Sequence, residues 1–172
     1  MKPTMKILKY PNKLLTTPTI NWDFVNGKKQ ELLDMAASME ELLKTKPDGV
    51  ALAANQAGYV TRMFVLEEEL ANEYSLPRAI INPVINPVGT RKLEESEGCL
   101  SFPGLYFPVK RHDVISCDFY DTDGNKKITI LENFPARVFQ HECEHLDGKL
   151  YLENLPRRER FQVIGKIKNR GF

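Results

Sequence analysis

A chain of 172 residues, 42% hydrophobic and 27% charged, is long enough to bury a core without cross-links, so one compact domain over residues 1–172 is expected. A net charge of +1 argues against a general polyanion binder, and no apolar run approaches the ~18 residues of a membrane span. Three cysteines without framework spacing, and an N-terminus (Met1-Lys2-Pro3) that leads into no long apolar core, fit a cytosolic protein with a thiol free for metal.

After an entry punctuated by Pro3, Pro11 and Pro18, the first element is an amphipathic helix over residues ~28–45, where Leu32, Ala36, Met39 and Leu43 recur at helical spacing. Pro47-Asp48-Gly49 ends it. The small-residue run Gly49 to Gly58, interrupted by Gln56, reads as a buried turn packed under a helix. Arg62 to Leu66 reads as a strand, and Ala79 to Ile81 as another that stops at Asn82-Pro83. Glu94, Glu95 and Glu97 read as a solvated acidic face in which a role is reserved for Glu97 alone. Gly98, Pro103 and Gly104 then flank Cys99 and permit tight turns. Asp113 to Tyr120 alternates and turns through Asp121 to Asn125 into Lys127 to Leu131, a hairpin with Cys117 in the core and His112 on the surface.

The hairpin runs into a helix over residues ~134–147, with Pro135 suited to a first turn and Asp147-Gly148 as the stop. Its centre is Gln140-His141-Glu142-Cys143-Glu144-His145. At about 100° per residue, His141 and His145 lie roughly 40° apart one turn above the other, so both imidazoles can reach one metal ion. Glu142 and Glu144 each lie roughly 80° from the midline of the pair, so angular position does not choose between them. The usage of H-E-x-x-H, with the glutamate after the first histidine carrying the proton, favours Glu142. Cys143 points away and reads as packing. For a third ligand, Tyr151 stands where a metzincin has histidine, which leaves Glu153 or Glu159 downstream and Cys99 upstream. The tail from Pro156 to Phe172 reads as a helix with Phe161, Ile164 and Ile167 on its apolar face and Arg157, Arg158, Arg160, Lys166, Lys168 and Arg170 around it.

Three stretches, Gly49-Val50-Ala51-Leu52-Ala53-Ala54-Asn55-Gln56, Glu97-Gly98-Cys99-Leu100-Ser101 and the His helix, together resemble the signature motifs of the peptide deformylases, from about Ile7 to Leu155. The resemblance implies an α+β fold, antiparallel sheets around a central metal-binding helix with a C-terminal helix, acting on N-formylmethionyl nascent peptides. It implies Cys99, His141 and His145 as metal ligands, Glu142 as the acid and base, and the Gln56 amide and Leu100 N–H as oxyanion donors. Peptide backbone would pair along Gly49-Val50-Ala51 and Gly98 to Leu100, the methionine side chain would meet Phe134 and Val138, and Glu97 would orient its loop through Arg111. Two imidazoles and a thiolate suit zinc by affinity, whereas the family implies Fe(II), with Ni(II) or Co(II) as active substitutes and Zn(II) less active.

Two departures stand out. Ala51 replaces a usual glycine, which would add roughly 1–2 kcal/mol of strain if the position needs positive φ. The tail extends only 27 residues past His145, so docking of its basic helix on the ribosome is an open expectation. The chain is expected to be a monomer in the cytosol of a bacterium or of a virus-infected one. The rival readings are an H-E-x-x-H metallopeptidase that uses Glu153 or Glu159, and a non-catalytic domain around a structural metal.

Overall fold

The computed structural model describes the backbone of residues 5–170. Alternation in the strands explains how one sheet serves two cores. β1 (Ala51–Ala53), β2 (Met63–Leu66), β3 (Ala79–Pro87), β6 (Val114–Tyr120) and β7 (Lys126–Glu132) form an antiparallel sheet in the order β1-β2-β3-β6-β7. Met63, Val65, Ala79 and Ile81 face one side and meet Leu32, Ala36, Met39 and Leu43 of α1 (Lys29–Lys44). Phe64, Leu66, Ile80, Ile115, Cys117 and Phe119 face the other and meet Ala136, Phe139, Cys143 and Leu146 of α3 (Asn133–Leu146). The expected α+β arrangement, with antiparallel sheets flanking the His helix, is therefore what the chain adopts.

A second, two-stranded sheet is formed by β4 (Lys92–Cys99) and β5 (Phe102–His112), joined at Leu100-Ser101. Its Phe102, Leu105 and Val109 bury against Tyr151, Leu152, Leu155 and the last helix, α4 (Arg157–Arg170). α3 thus lies between the large sheet and this hairpin. Its end is set by Gly148, at φ +72, whose N–H donates to His145 O at 2.9 Å, while a Cβ there would meet Thr16 O at 2.8 Å.

Several expectations change. β3 does not stop at Asn82-Pro83: Asn82 takes φ 50, the register shifts between Ile81 and Val84, and the strand resumes to Pro87. The Asn82 side chain uses this bulge to hold both main-chain groups of Trp22, at 2.7 and 2.9 Å. The stretch read as a buried turn is strand β1, whose Ala51 and Ala53 pack against α3, followed by a 3-10 turn, Ala54–Ala57, whose Ala54 and Ala57 join the α1 core. A short helix, α2 (Glu68–Glu73), was unforeseen. On α4, Val163 and Ile167 are buried and Phe161 is exposed, so the apolar face is rotated from the expected one. Pro3 and the side chains of Lys166, Lys168 and Arg170 lie outside the described residues. No helix among the described residues is long and apolar enough to cross a membrane.

Candidate active site

Helix spacing and the β4–β5 turn bring the two histidines and Cys99 together. The ligand atoms of Cys99, His141 and His145 lie within 4.8 Å of one another, and this is the one such group of three among the described residues. Cys99 Sγ is 3.2 Å from His145 Nε2, and the two imidazole centroids are 4.9 Å apart. His141 turns Nδ1 to Glu97 Oε2 at 3.0 Å, which leaves Nε2 for the shared centre. A thiol and two imidazoles suit a divalent ion of borderline softness. Burial disfavours charge on His141, but the Cys99 sulfur and the Glu97 carboxylate outweigh it and hold the ring up at about 10. His145, buried beside it, is held well below its ordinary range by burial and by His141. The chain carries a Cys/His/His metal-binding site.

The expected alternatives for the third ligand lie elsewhere. Glu153 Oε1 accepts the Leu150 N–H at 3.1 Å, and Glu159 is exposed on α4. The two helix glutamates differ in their neighbours. Glu144 receives Arg111 Nη1 at 2.6 Å and Asn154 Nδ2 at 3.2 Å, whereas Glu142 lines the cleft with its Oε2 buried and unpartnered among the described residues. Burial raises the Glu142 carboxyl to about 7, with His141 pulling against it.

The cleft has a volume of about 450 Å³ and is lined by every residue expected at the substrate: Gly49, Val50, Ala51, Gln56, Glu97, Gly98, Leu100, Phe134 and Val138. Gln56 is held at both ends. Its Oε1 accepts the Ala53 N–H at 2.9 Å, and its Nε2 donates to Ser101 Oγ at 3.1 Å and faces Cys99 Sγ at 3.5 Å. The Leu100 carbonyl accepts from Lys9 Nζ, so a residue of the irregular entry buttresses the hairpin turn. Gly98 pairs with Tyr106, where a Cβ would sit 2.5 Å from the ring. Ala51 has no positive φ, so the conditional strain does not arise.

The residues missed by sequence reading form a polar seam between α3 and the hairpin. Arg111 binds Glu97 through two bonds, at 2.8 and 2.9 Å, as expected. Arg137 adds a second guanidinium, its Nη1 2.5 Å from Glu97 Oε1. Gln140 brackets the main chain of His112, donating to its carbonyl at 2.8 Å and accepting its N–H at 3.0 Å. His112 is accordingly half-buried rather than on the surface, and it is not a ligand. Arg137, Gln140, His141 and Glu144 are spaced i, i+3, i+4 and i+7, so one helix face reaches the hairpin. The spacing was available in the sequence, but polar residues at those positions also describe a solvated face. Asn55 likewise donates to His145 O at 2.5 Å, tying the first motif to the end of α3.

A family model described as polypeptide deformylase matches residues 4–161. The peptide deformylase of Maricaulis maris is 36% identical over 166 residues, covering 95% of this chain and 91% of that one. The peptide deformylase of Aquifex aeolicus is 35% identical over 164 residues, covering 94% of each. Among solved structures, the peptide deformylase of Ehrlichia chaffeensis in complex with actinonin superposes with a TM-score of 0.85 at 30% identity, covering 98% of both chains.

Proposed function

The chain belongs to the polypeptide deformylase family, and from that premise we propose which residues do the work and with which metal. It is a metal-dependent hydrolase that removes N-formyl groups, with N-formylmethionyl peptides as substrates. The observation that carries the residue assignment is the convergence of Cys99, His141 and His145 on one point, with Cys99 and His141 lining a cleft shared with Glu142 and Gln56.

Cys99, His141 and His145 would hold Fe(II), for which Ni(II) or Co(II) substitute and Zn(II) serves less well. When bound, the ion lowers the pKa of a water and polarises the formyl oxygen. A formamide is a weak electrophile with a poor leaving group, so the protein must also move a proton and hold developing charge. Glu142, buried and raised to about 7, takes the proton of the attacking water and delivers it to the amine nitrogen as the C–N bond breaks. Formate and a free N-terminus result. Gln56 Nε2 and the Leu100 N–H receive the oxyanion. The fixing of Gln56 by Ala53 and Ser101 favours this role, because a donor already in place costs nothing to reorient.

Substrate backbone adds as a strand beside Gly49-Val50-Ala51 and Gly98 to Leu100. β1 is the terminal strand of its sheet and β4 pairs on one side with β5, which leaves edges available for such addition. Phe134, half exposed, and Val138 form the wall for the methionine side chain. Residues 1–172 act as one catalytic domain, monomeric and cytosolic, in a bacterium or a virus-infected one. Exposed Arg157 and Arg158 at the start of α4 contribute to a basic face suited to the ribosome.

The test is release of formate from an N-formyl-Met peptide, beside cleavage of an internal peptide bond, by protein loaded anaerobically with Fe(II) or Ni(II). Formate without internal cleavage is expected. Internal cleavage alone would return the metallopeptidase reading.

A further inference from the structure

Arg137 stands one turn before His141 on α3, and its side chain is nine-tenths buried. An isolated guanidinium does not enter a protein interior without partners for its N–H groups. Here Nε meets Glu95 Oε2 at 2.9 Å, Nη1 meets Glu97 Oε1 at 2.5 Å and Val109 O at 2.9 Å, and Nη2 meets Leu93 O at 2.9 Å. These acceptors span both strands of the hairpin that carries Cys99, while Arg137 itself rides the helix that carries both histidines.

The Glu97 carboxylate divides its oxygens accordingly. Oε1 receives Arg111 Nε and Arg137 Nη1, and Oε2 receives Arg111 Nη2 and faces His141 Nδ1. Arg111 anchors the carboxylate from β5 and reaches α3 only indirectly, through Glu144 at its C-terminal end. Arg137 bonds it directly from the helix, one turn before His141, so the carboxylate that orients His141 is fixed relative to that residue's own backbone.

We propose that Arg137 is a positioning residue of the metal centre: through Glu97 it sets the orientation of His141, and through Leu93 and Val109 it holds the Cys99 hairpin at the distance that three-ligand binding requires. The proposal rests on the reading of Glu97 as the partner that orients His141. A planar fork that reaches four acceptors performs this task, and a lysine ammonium does not.

The test uses the full chain with Co(II) as probe, measuring affinity by competition with a chelator and the visible absorption of the Co(II)–thiolate site at saturating metal. Arg137→Met is expected to weaken Co(II) binding about tenfold, the low end for outer groups of a metal site, and to shift the absorption bands. Arg137→Lys is expected to fall between it and the parent, and serves alone where the Met variant does not fold. Parent-like affinity and spectrum in Arg137→Lys, or in a folded Arg137→Met, would overturn the proposal. Glu97→Ala runs in parallel: if it weakens Co(II) while the Arg137 variants do not, Arg137 is only a clamp. If Glu97→Ala also leaves Co(II) unchanged, the underlying reading of Glu97 falls with it.

Discussion

Glu97 Oε2 lies 3.0 Å from Nδ1 of His141, a carboxylate–imidazole contact sealed from water by two arginines. Replacing Glu97 with alanine leaves Arg111 and Arg137 buried without their shared counter-charge. The expected cost is about 3–5 kcal/mol of stability, read by urea unfolding. Burial pushes the Glu97 carboxyl up, but bonds from Arg111 and His141 prevail and hold it at about 2. Its folded pKa lies below the ordinary value of about 4.3, so its contribution is complete above that pH and drains away as pH falls toward 2. The stability gap between the parent and Glu97→Gln is therefore expected to narrow in that window; a gap constant from pH 7 to 3 would contradict this.

Gln56 is expected to act on the transition state rather than on binding. Gln56→Ala should lower kcat by about 10²–10³-fold with KM little changed, provided metal content is matched. A rise in KM at constant kcat would assign Gln56 to peptide binding instead.

Ala51 lies in strand β1 with its methyl buried in the core beneath α3. Ala51→Gly therefore relieves no strain and should cost about 0.5–1 kcal/mol, seen as a lower Tm. Because the residue also lines the cleft, KM should change more than kcat. Stabilisation of the glycine variant would show that Ala51 is strained after all.

Thiol chemistry should separate the three cysteines. Burial pushes Cys117 up to about 12 and Cys143 well above its ordinary value, and both lie in the core. Cys99 is half-buried in the cleft. Chelated, folded protein should present one reactive thiol, metal-loaded protein none on the same timescale, and Cys99→Ser none in either state.

What was legible in the sequence was what periodicity or motif spacing encodes. Leu32, Ala36, Met39 and Leu43 marked α1, and His141 and His145 marked the metal helix, because the 3.6-residue repeat acts locally. The β4–β5 hairpin was not legible: Gly98, Pro103 and Gly104 read as turn punctuation, although Leu105, Val109 and Arg111 do alternate inward. A buried arginine in that alternation looks like a surface residue until its partner is known. Arg137 was hidden for the same reason, since its acceptors are 28 to 44 residues away. At Asn82 a bulge bound to Trp22 preserved a strand that local rules end. The face of α4 was misjudged because Phe161, the largest apolar residue there, is exposed while Val163 and Ile167 pack on the hairpin core.

The most direct measurement compares formate release from an N-formyl-Met peptide by the Ni(II)-loaded parent and by Glu142→Ala at equal metal occupancy. Glu142 lines the cleft and is the proposed proton carrier. The variant should keep its metal and its KM while kcat falls by at least about 10²-fold, as for loss of a general acid–base. Parent-like release from the metal-replete variant would contradict the account.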